Sequence, residues 1–433
     1  MTAVPATPAT PGGPLPDPSG EPSADSSANP PRPGVLRRVA ESTALAGVLA
    51  VVSAMIVGSV LILVADEEVR TTAGYFLARP GDFLGAAGSS LVEAYTSLLR
   101  GSVLDWRATT ATRMVRPLTE TLTNATPLII AGLGMSVAFR AGLFNIGGQG
   151  QVVLGGILAT YVGITWELPV VVHLPLAVLA AVLGGFVWGG LAGLLKARTG
   201  ANEVIVTIML NSVAGYLLAQ LLTTTVFIGE SGSNPKSLYL AGSSHYPLLL
   251  GDSFRLHAGF LVALLAAGSV WWLMERSRLG FQLRAVGLNA QAARTAGMNV
   301  SRVTAVAMMV SGALCGLAAT APVLGTQRYL GLSVAGTIGF DAITVALLGR
   351  STPLGTVLAG LLFGALSAGG TTMQAATGTP VDIVLVLQST IVLFIAAPSL
   401  VRALYRLPAR GSWTRQQDTA AAAGTPAPTS REA

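Results

Sequence analysis

The sequence predicts an all-α polytopic membrane protein with about ten transmembrane helices, some of them short or broken, and disordered termini. Apolar residues make up 52% of the 433 residues and charged residues only 11%, whereas soluble globular proteins carry about 25% charged residues. The mean hydropathy is +0.64, and apolar runs near the ~20 residues that cross a bilayer recur along the chain. The composition excludes a soluble enzyme and a disordered chain. The single cysteine, Cys315, excludes a disulfide scaffold.

The N-terminal region combines a polar tail, one apolar run and a long mixed loop. Its first residues are mostly Pro, Ala, Thr, Ser and Gly, so we expect residues 1–40 to be disordered. The first span is predicted at 44–64, and the two arginines before it favour a cytoplasmic N-terminus. The loop 65–117 contains six Arg and six acidic residues. Because long loops cross membranes with little regard to charge, we expect this loop to be external.

Nine further spans are predicted to complete a membrane domain of residues 41–405, and we expect residues 406–433 to form a second disordered tail. The spans are predicted at 118–139, 143–165, 174–195, 204–225, 257–274, 303–323, 334–349, 354–370 and 381–398. The eighth and ninth spans are short. They form either two full helices or a broken or re-entrant pair around Pro353.

The distribution of basic residues predicts the orientation of the chain. With ten spans both termini lie on one side, and 17 of the 26 Lys and Arg residues fall on that side. The positive-inside rule therefore places both termini in the cytoplasm. The same rule explains the net charge of +6 without nucleic acid. Neither of the two lysines, Lys196 and Lys236, follows a glycine, so the chain has no ATP-binding P-loop.

Glycines recur every four residues in two of the predicted spans. Gly185, Gly189 and Gly193 share one helix face, and Gly360 and Gly364 share another. Such stripes allow two helix backbones to approach closely. The alternative is that glycine is simply common in membrane helices.

A polar, glycine-rich stretch precedes the third span. It places Asn145, Gln149 and Gln151 among four glycines of residues 142–151. Amides at membrane depth need hydrogen-bond partners. The stretch is either a partly unwound segment that lines a permeation path or a tight helix entry whose amides cap backbone groups.

The fifth span also begins with polar residues. Asn202 is suited to cap the helix, and Glu203 in the first turn suits the helix dipole. Asn211 lies about two turns further on. It either forms hydrogen bonds with a neighbouring helix or faces the path.

Asp341 and Asp382 are the acidic residues best placed within spans, and an intramembrane carboxylate is a candidate functional group. Asp341 follows Phe340 and could accept hydrogen bonds from the hydroxyl groups of a polar solute. It could equally pair with Arg350 or cap a half-helix. The sequence shows no proton relay of acidic and histidine residues and no metal site.

The largest basic cluster in a short loop is residues 275–302. Within it, Asn289 is a plausible N-cap and Gly297 a C-terminal stop for a short helix. A helix of two turns is marginal alone in water, so docking on a partner would stabilise it. The alternative is a positive-inside loop with no further role.

Four stretches in this order carry a resemblance to a known family: residues 144–151, 202–211, 284–297 and 339–349. Together they resemble the inner-membrane permease subunits of ABC importers for simple sugars, nucleosides and branched-chain amino acids. The likeness is closest to the nucleoside branch and covers about residues 40–405. One departure is Gln149, where the family usually has Glu.

The resemblance implies a multi-pass subunit of the plasma membrane that moves a nucleoside or simple sugar by alternating access and has no enzymatic activity or cofactor. ATP hydrolysis then takes place on a cytoplasmic ABC ATPase. The resemblance further implies an extracytoplasmic substrate-binding lipoprotein and a second, non-identical permease, with no nucleic acid partner. Loops 65–117 and 226–256 are candidates for contact with the binding protein, and 284–297 matches the coupling helix that docks on the ATPase.

Two sets of residues are therefore predicted to take part in transport. The substrate pathway would include Phe144, Asn145, Gln149, Gln151, Asn211, Phe340 and Asp341. Coupling to the ATPase would use Arg284, Asn289, Gln291, Arg294 and Gly297. The alternative function is a secondary transporter driven by H⁺ or Na⁺ through Asp341 or Asp382. The docking helix is the sequence feature that separates the two functions.

Overall fold

The computed structural model describes residues 43–228, 235–380, 382–396, 400 and 403–406. Within these ranges the regular secondary structure is helical, and only two isolated β-bridges occur. The predicted all-α fold is therefore confirmed. The predicted disordered tails, 1–40 and 406–433, lie outside the described residues apart from Arg406.

The first part of the described chain contains eight α-helices. They are α1 (Thr43–Ala65), α2 (Glu67–Ala73), α3 (Pro80–Ser102), α4 (Ala111–Arg140), α5 (Gly148–Thr165), α6 (Val170–Thr199), α7 (Glu203–Leu221) and α8 (Thr225–Ile228). The second part begins with a 3₁₀ turn and contains a π-helical turn after α12. Its elements are Gly242–Ser244 (3₁₀), α9 (Gly259–Arg276), α10 (Arg278–Leu288), α11 (Ala290–Thr295), α12 (Val300–Ala318), Ala321–Thr326 (π), α13 (Ile338–Leu348), α14 (Pro353–Thr377) and α15 (Asp382–Ala396).

Each of the ten predicted spans coincides with a helix. Within the described residues, six segments are long and apolar enough to cross a membrane: α4, α6, α7, α9, α14 and Val300–Thr326. The shorter apolar helices include α13 and part of α1 and α15. The chain is thus a polytopic membrane protein, as its composition predicts.

The loops gather at two ends of the helix bundle, because successive spans run in opposite directions. We name these ends after Arg140, at the end of α4, and Arg255, just before α9. The Arg140 end holds residues 141–147, 277–299 and 349–352, and the Arg255 end holds residues 103–110, 235–258 and 327–337.

The eighth span differs from both predicted alternatives. Helix α13 has only 11 residues, a length of about 16 Å that spans half of the hydrocarbon core. Helix α14 has 25 residues and crosses fully. Between them Arg350 and Ser351 both adopt positive φ, 52° and 51°, and Pro353 begins α14. The pair is therefore one half-length and one full helix.

The predicted external loop 65–117 contains a 23-residue helix, α3, that packs on α14. A Cβ on Gly369 of α14 would clash with the carbonyl oxygen of Leu98, and one on Gly101 would clash with Thr372. Because α3 mixes charged residues, glycines and apolar residues, hydropathy along the sequence does not reveal the face that packs on α14.

The glycine stripes form close helix contacts. A Cβ on Gly185 of α6 would clash with the carbonyl oxygen of Gly312 of α12, and Gly189 approaches the same helix equally closely. Gly360 and Gly364 of α14 meet α4 in the same way. The packing interpretation of both stripes is confirmed.

Candidate functional site

The amides of the glycine-rich stretch form a buried cluster at the start of α5. Asn145 and Gln151 are 0% and 1% exposed. The Nδ2 of Asn145 donates to Gln151 Oε1 and to Ser311 Oγ of α12, both at 2.9 Å. Asn145 Oδ1 accepts from the backbone N–H of Gly147 at 3.0 Å. Because these groups satisfy one another, neither side chain faces an open cavity in this conformation, and their place on a pathway stays a prediction.

Asn211 of α7 contacts the neighbouring chain segment rather than a cavity. Its Oδ1 accepts from the N–H of Gly150 at 2.8 Å, and its Nδ2 donates to the carbonyl of Ile146 at 2.9 Å. Asn211 thus caps the entry of α5 from outside that helix. Asn202 caps its own helix by accepting from Val204 N–H at 2.9 Å, as predicted.

Gln149 joins the start of α5 to the start of α13. Its Nε2 donates to the carbonyl of Gly336 at 2.7 Å, and its Oε1 accepts from the N–H of Gly339 at 3.1 Å. A neutral amide makes both bonds, whereas a carboxylate has no proton to donate to Gly336. Gln149 therefore fixes the first turn of α13, which contains Asp341.

Two adjacent cavities lie toward the Arg255 end, the first between α3, α4 and α14 and the second between α4, the π-helical turn and α13. The outer cavity has a volume of about 640 Å³ and the inner one about 330 Å³. Both are lined by Asn124, Arg255 and Ser367. We call the pair the vestibule, and the smaller cavity its floor.

Asp341 lies at the floor of the vestibule. Its Oδ2 accepts a hydrogen bond from Thr337 Oγ1 at 2.6 Å, and it occupies the first turn of α13. No ion pair joins it to Arg350 among the residues of the described chain. Because α13 has only 11 residues and Asp341 lies in its first turn, its contact with a solute stays a prediction.

The mouth of the vestibule is strongly charged. Arg100 donates to Asp105 at 2.8 Å, and this hydrogen bond holds the pKa of Asp105 below its usual value. Glu120 of α4 accepts from Arg255 at 3.2 Å and lies 3.9 Å from Arg116. The Arg255 pair links the loop before α9 to α4 across the boundary of the two cavities.

The predicted pathway residues Phe144 and Phe340 do not line the vestibule. Phe144 is 51% exposed, and its ring lies 5.0 Å from that of Phe139. Phe340 is 49% exposed. Asp382 is exposed at the start of α15. In the described part of the chain, no group of His, Cys, Asp or Glu could hold a metal ion.

The predicted coupling segment contains two helices instead of one. Helix α11 matches the predicted short helix: Asn289 accepts from the N–H groups of Gln291 and Ala292, both at 3.0 Å, and Gly297 has φ 82°. Ala293 is buried and seats α11 on the bundle, while Arg294 is exposed. Helix α10 precedes it and was not predicted.

Arg284 of α10 faces the bundle, unlike Arg294. It donates to Glu275 at 3.0 Å, and Arg140 lies 3.5 Å from the other oxygen of that carboxylate. Arg140 also donates to the carbonyl of Ser351 at 2.9 Å. Glu275 therefore connects the coupling segment, the end of α4 and the turn between α13 and α14.

Of the vestibule's lining residues, only Asp341 was predicted, and Asn124, Arg255 and Gln327 are among those that sequence reasoning missed. Asn124 is an amide inside a predicted span, so the signal that singled out Asn211 was also present there. Arg255 and Gln327 lie in short loops, where a polar residue carries no signal.

The sequence matches the family model described as "Branched-chain amino acid transport system / permease component" over residues 118–396. The chain is 41% identical over 290 residues to the guanosine ABC transporter permease protein NupP of Bacillus subtilis (strain 168), covering 65% of this chain and 82% of the relative.

Two further relatives are named as permeases for glucose and for nucleosides. The glucose ABC transporter permease protein TsgB13 of Haloferax volcanii is 38% identical, covering 64% of this chain and 75% of the relative. The nucleoside ABC transporter permease protein NupB of Lactococcus lactis subsp. cremoris is 32% identical, covering 67% and 81%. No solved structure matches the chain significantly.

Proposed function

This chain belongs to the family of permease components of branched-chain amino acid transport systems, and on that premise we propose that it imports nucleosides. It is the membrane-spanning permease subunit of an ABC importer and a transport component rather than an enzyme. The observation that carries the solute assignment is its 41% identity to a guanosine permease. A simple sugar is the second candidate, because a glucose permease is 38% identical.

An ABC importer takes its energy from an ATPase and its solute from a substrate-binding protein. We propose that the cytoplasmic ATPase docks on α11 through the exposed Arg294 and Gln291. We further propose that a non-identical permease completes the pathway and that a binding lipoprotein delivers solute to the Arg255 end. Loops 65–117 and 226–256 lie at that end, although residues 229–234 of the second loop are outside the described residues.

The membrane domain, residues 41–405, would then work by alternating access in the plasma membrane. Movement of α11 and α10 would reach α4 and the α13–α14 turn through Glu275, because its carboxylate contacts both Arg284 and Arg140. Gln149 would hold α13 in register with α5 during this movement. Asp341 would meet the solute.

An ion-coupled secondary transporter is not favoured. The relatives with which the chain aligns are ABC permeases, and Asp382, one of the two carboxylates available for ion coupling, is exposed at a helix start. Asp341 accepts a hydrogen bond from a single hydroxyl in the described structure.

The experiment that tests this function is uptake of labelled guanosine, uridine and glucose. Cells that lack the gene should lose nucleoside uptake, and the reintroduced chain should restore it. Uptake should continue when the proton gradient is collapsed and ATP is maintained, since ATP hydrolysis is the energy source. Equal nucleoside uptake with and without the chain would contradict the proposal, and restored glucose uptake alone would favour the sugar.

A further inference from the structure

The floor of the vestibule differs in chemistry from its mouth. The mouth is lined by Arg100, Arg113, Arg116 and Arg255 with two carboxylates. In the part of the chain that the structure describes, the floor is lined by one arginine, Arg255, and one carboxylate, Asp341. Its remaining polar groups are uncharged amides and hydroxyls, of which Asn124, Gln327 and Thr337 are examples. A solute that passes the mouth therefore meets a nearly neutral surface rich in hydrogen-bonding groups.

The backbone around the floor is shaped to expose polar groups. The π-helical turn Ala321–Thr326 ends beside the floor, with Gln327 N–H donating to the carbonyl of Pro322 at 2.8 Å. Turns of this kind occur mostly as single insertions in α-helices, frequently at functional sites. On the facing helix, Pro127 has no N–H to donate to the carbonyl of Thr123, and both residues line the floor.

Apolar side chains line part of the smaller cavity, the floor. Pro127, Leu128, Pro322 and Ile338 surround the amides of Asn124 and Gln327. The volume of about 330 Å³ lies at the lower end of the roughly 300–1,000 Å³ of small-molecule pockets. Such pockets combine apolar walls with a few polar groups that fix the orientation of the ligand.

We propose that the floor is an entry subsite for an uncharged, polyhydroxylated ring, in which Asn124, Gln327 and Asp341 contact the hydroxyl groups of the solute. The inference rests on the proposed function and adds to it two residues and a place of contact. Each amide offers both a donor and an acceptor, and the carboxylate offers acceptors only, which suits hydroxyls that donate and accept. The apolar walls would cover the faces of the ring.

The charge of the floor selects against phosphorylated solutes. Arg255 is the single cation among the described residues that line the floor, and its guanidinium already contacts Glu120 at 3.2 Å. A phosphate group there would lie close to Asp341 without a free cation to balance it, and desolvated like charges repel strongly. Nucleosides and simple sugars fit this environment, and nucleotides do not.

The single native cysteine makes a direct test possible. Cys315 is 0% exposed, so within this chain a small polar thiol reagent should react only with an introduced cysteine. We would prepare Gln327→Cys and Asn124→Cys in the assembled transporter in membrane vesicles. The control is Gln374→Cys, an exposed glutamine of α14 outside both cavities.

Guanosine delivered by the binding protein should slow labelling at positions 327 and 124 roughly fivefold, as expected for a largely occupied site. Labelling at position 374 should not change, and a nucleotide should protect neither floor position. Unchanged labelling at 327 and 124 in vesicles that take up guanosine would overturn the subsite alone. Vesicles of the native transporter that take up no nucleoside would count against the proposed function itself.

A second variant keeps the inference testable if a cysteine at the floor prevents folding. Gln327→Met preserves the approximate size of the side chain and removes the amide that could form hydrogen bonds with the solute. We expect the rate of guanosine uptake to fall about tenfold, with ATP hydrolysis retained and with Gln374→Met unaffected. An uptake rate for Gln327→Met equal to that of the native chain would overturn the inference.

Discussion

Polar residues inside the predicted spans fall into two groups according to what they contact. Asn145, Gln151 and Asn211 hold the entry of α5 in place through hydrogen bonds to one another and to backbone groups. Asn124 and Asp341 line the vestibule. Sequence spacing did not separate the groups, because an amide in an apolar run looks the same whether its partner is protein or solute.

Neutralising Asp341 should reduce transport while leaving the protein assembled. In Asp341→Asn the amide oxygen can replace the carboxylate as the acceptor for Thr337 and the negative charge is lost, so we expect guanosine uptake to fall about tenfold, the equivalent of ~1.4 kcal/mol. Asp382→Asn is the matched control and should transport normally, because that residue lies at an exposed helix start. Transport lost in Asp382→Asn and kept in Asp341→Asn would reverse the assignment.

At the scale of elements, the coupling segment consists of two helices that differ in their contacts. Helix α10 is tied to the bundle by Arg284 and Glu275, while α11 rests on the bundle through Ala293 and keeps Arg294 and Gln291 exposed. The caps at Asn289 and Gly297 were readable from sequence. The inward orientation of Arg284 was not, because it depends on a carboxylate in another helix.

Reversing the charge of Arg294 should weaken binding of the ATPase. Because the side chain is exposed and α11 is seated by Ala293, Arg294→Glu should leave the fold intact and reduce co-purification of the ATPase about tenfold, equivalent to ~1.4 kcal/mol. Arg198→Glu makes the same change on an exposed arginine of the Arg140 end and should have little effect. If both variants retain the ATPase equally well, α11 is not the docking site.

At the scale of the whole molecule, hydropathy predicted the long apolar helices. It did not predict α3 or the length of α13, which depend on packing and on local turns. All ten spans coincide with helices, and the glycine stripes of Gly185 and Gly360 lie at real helix contacts. Helix α3 escaped prediction because its packed face is made of small residues. The half length of α13 escaped because the residues before it, although apolar, fold as turns.

Orientation is the property of the whole molecule that remains to be tested, and basic residues predict it. We expect the Arg140 end to face the cytoplasm, because the positive-inside rule governs short loops of this kind. Gly200 and Gly251 are matched sites for an epitope tag: both have positive φ, 70° and 80°, and a Cβ on either would meet nothing within 4 Å. Gly200 lies at the Arg140 end and Gly251 at the Arg255 end.

In spheroplasts of a bacterial host, an antibody should reach a tag after Gly251 without permeabilisation and a tag after Gly200 only with it. Tagged chains that still support nucleoside uptake show that the bundle is intact, so the readout reports orientation and not misfolding. The reverse pattern would place α11 outside the cell, away from any ATPase. That result would refute the docking of α11 and the entry of solute at the Arg255 end together, since both depend on which end faces the cytoplasm.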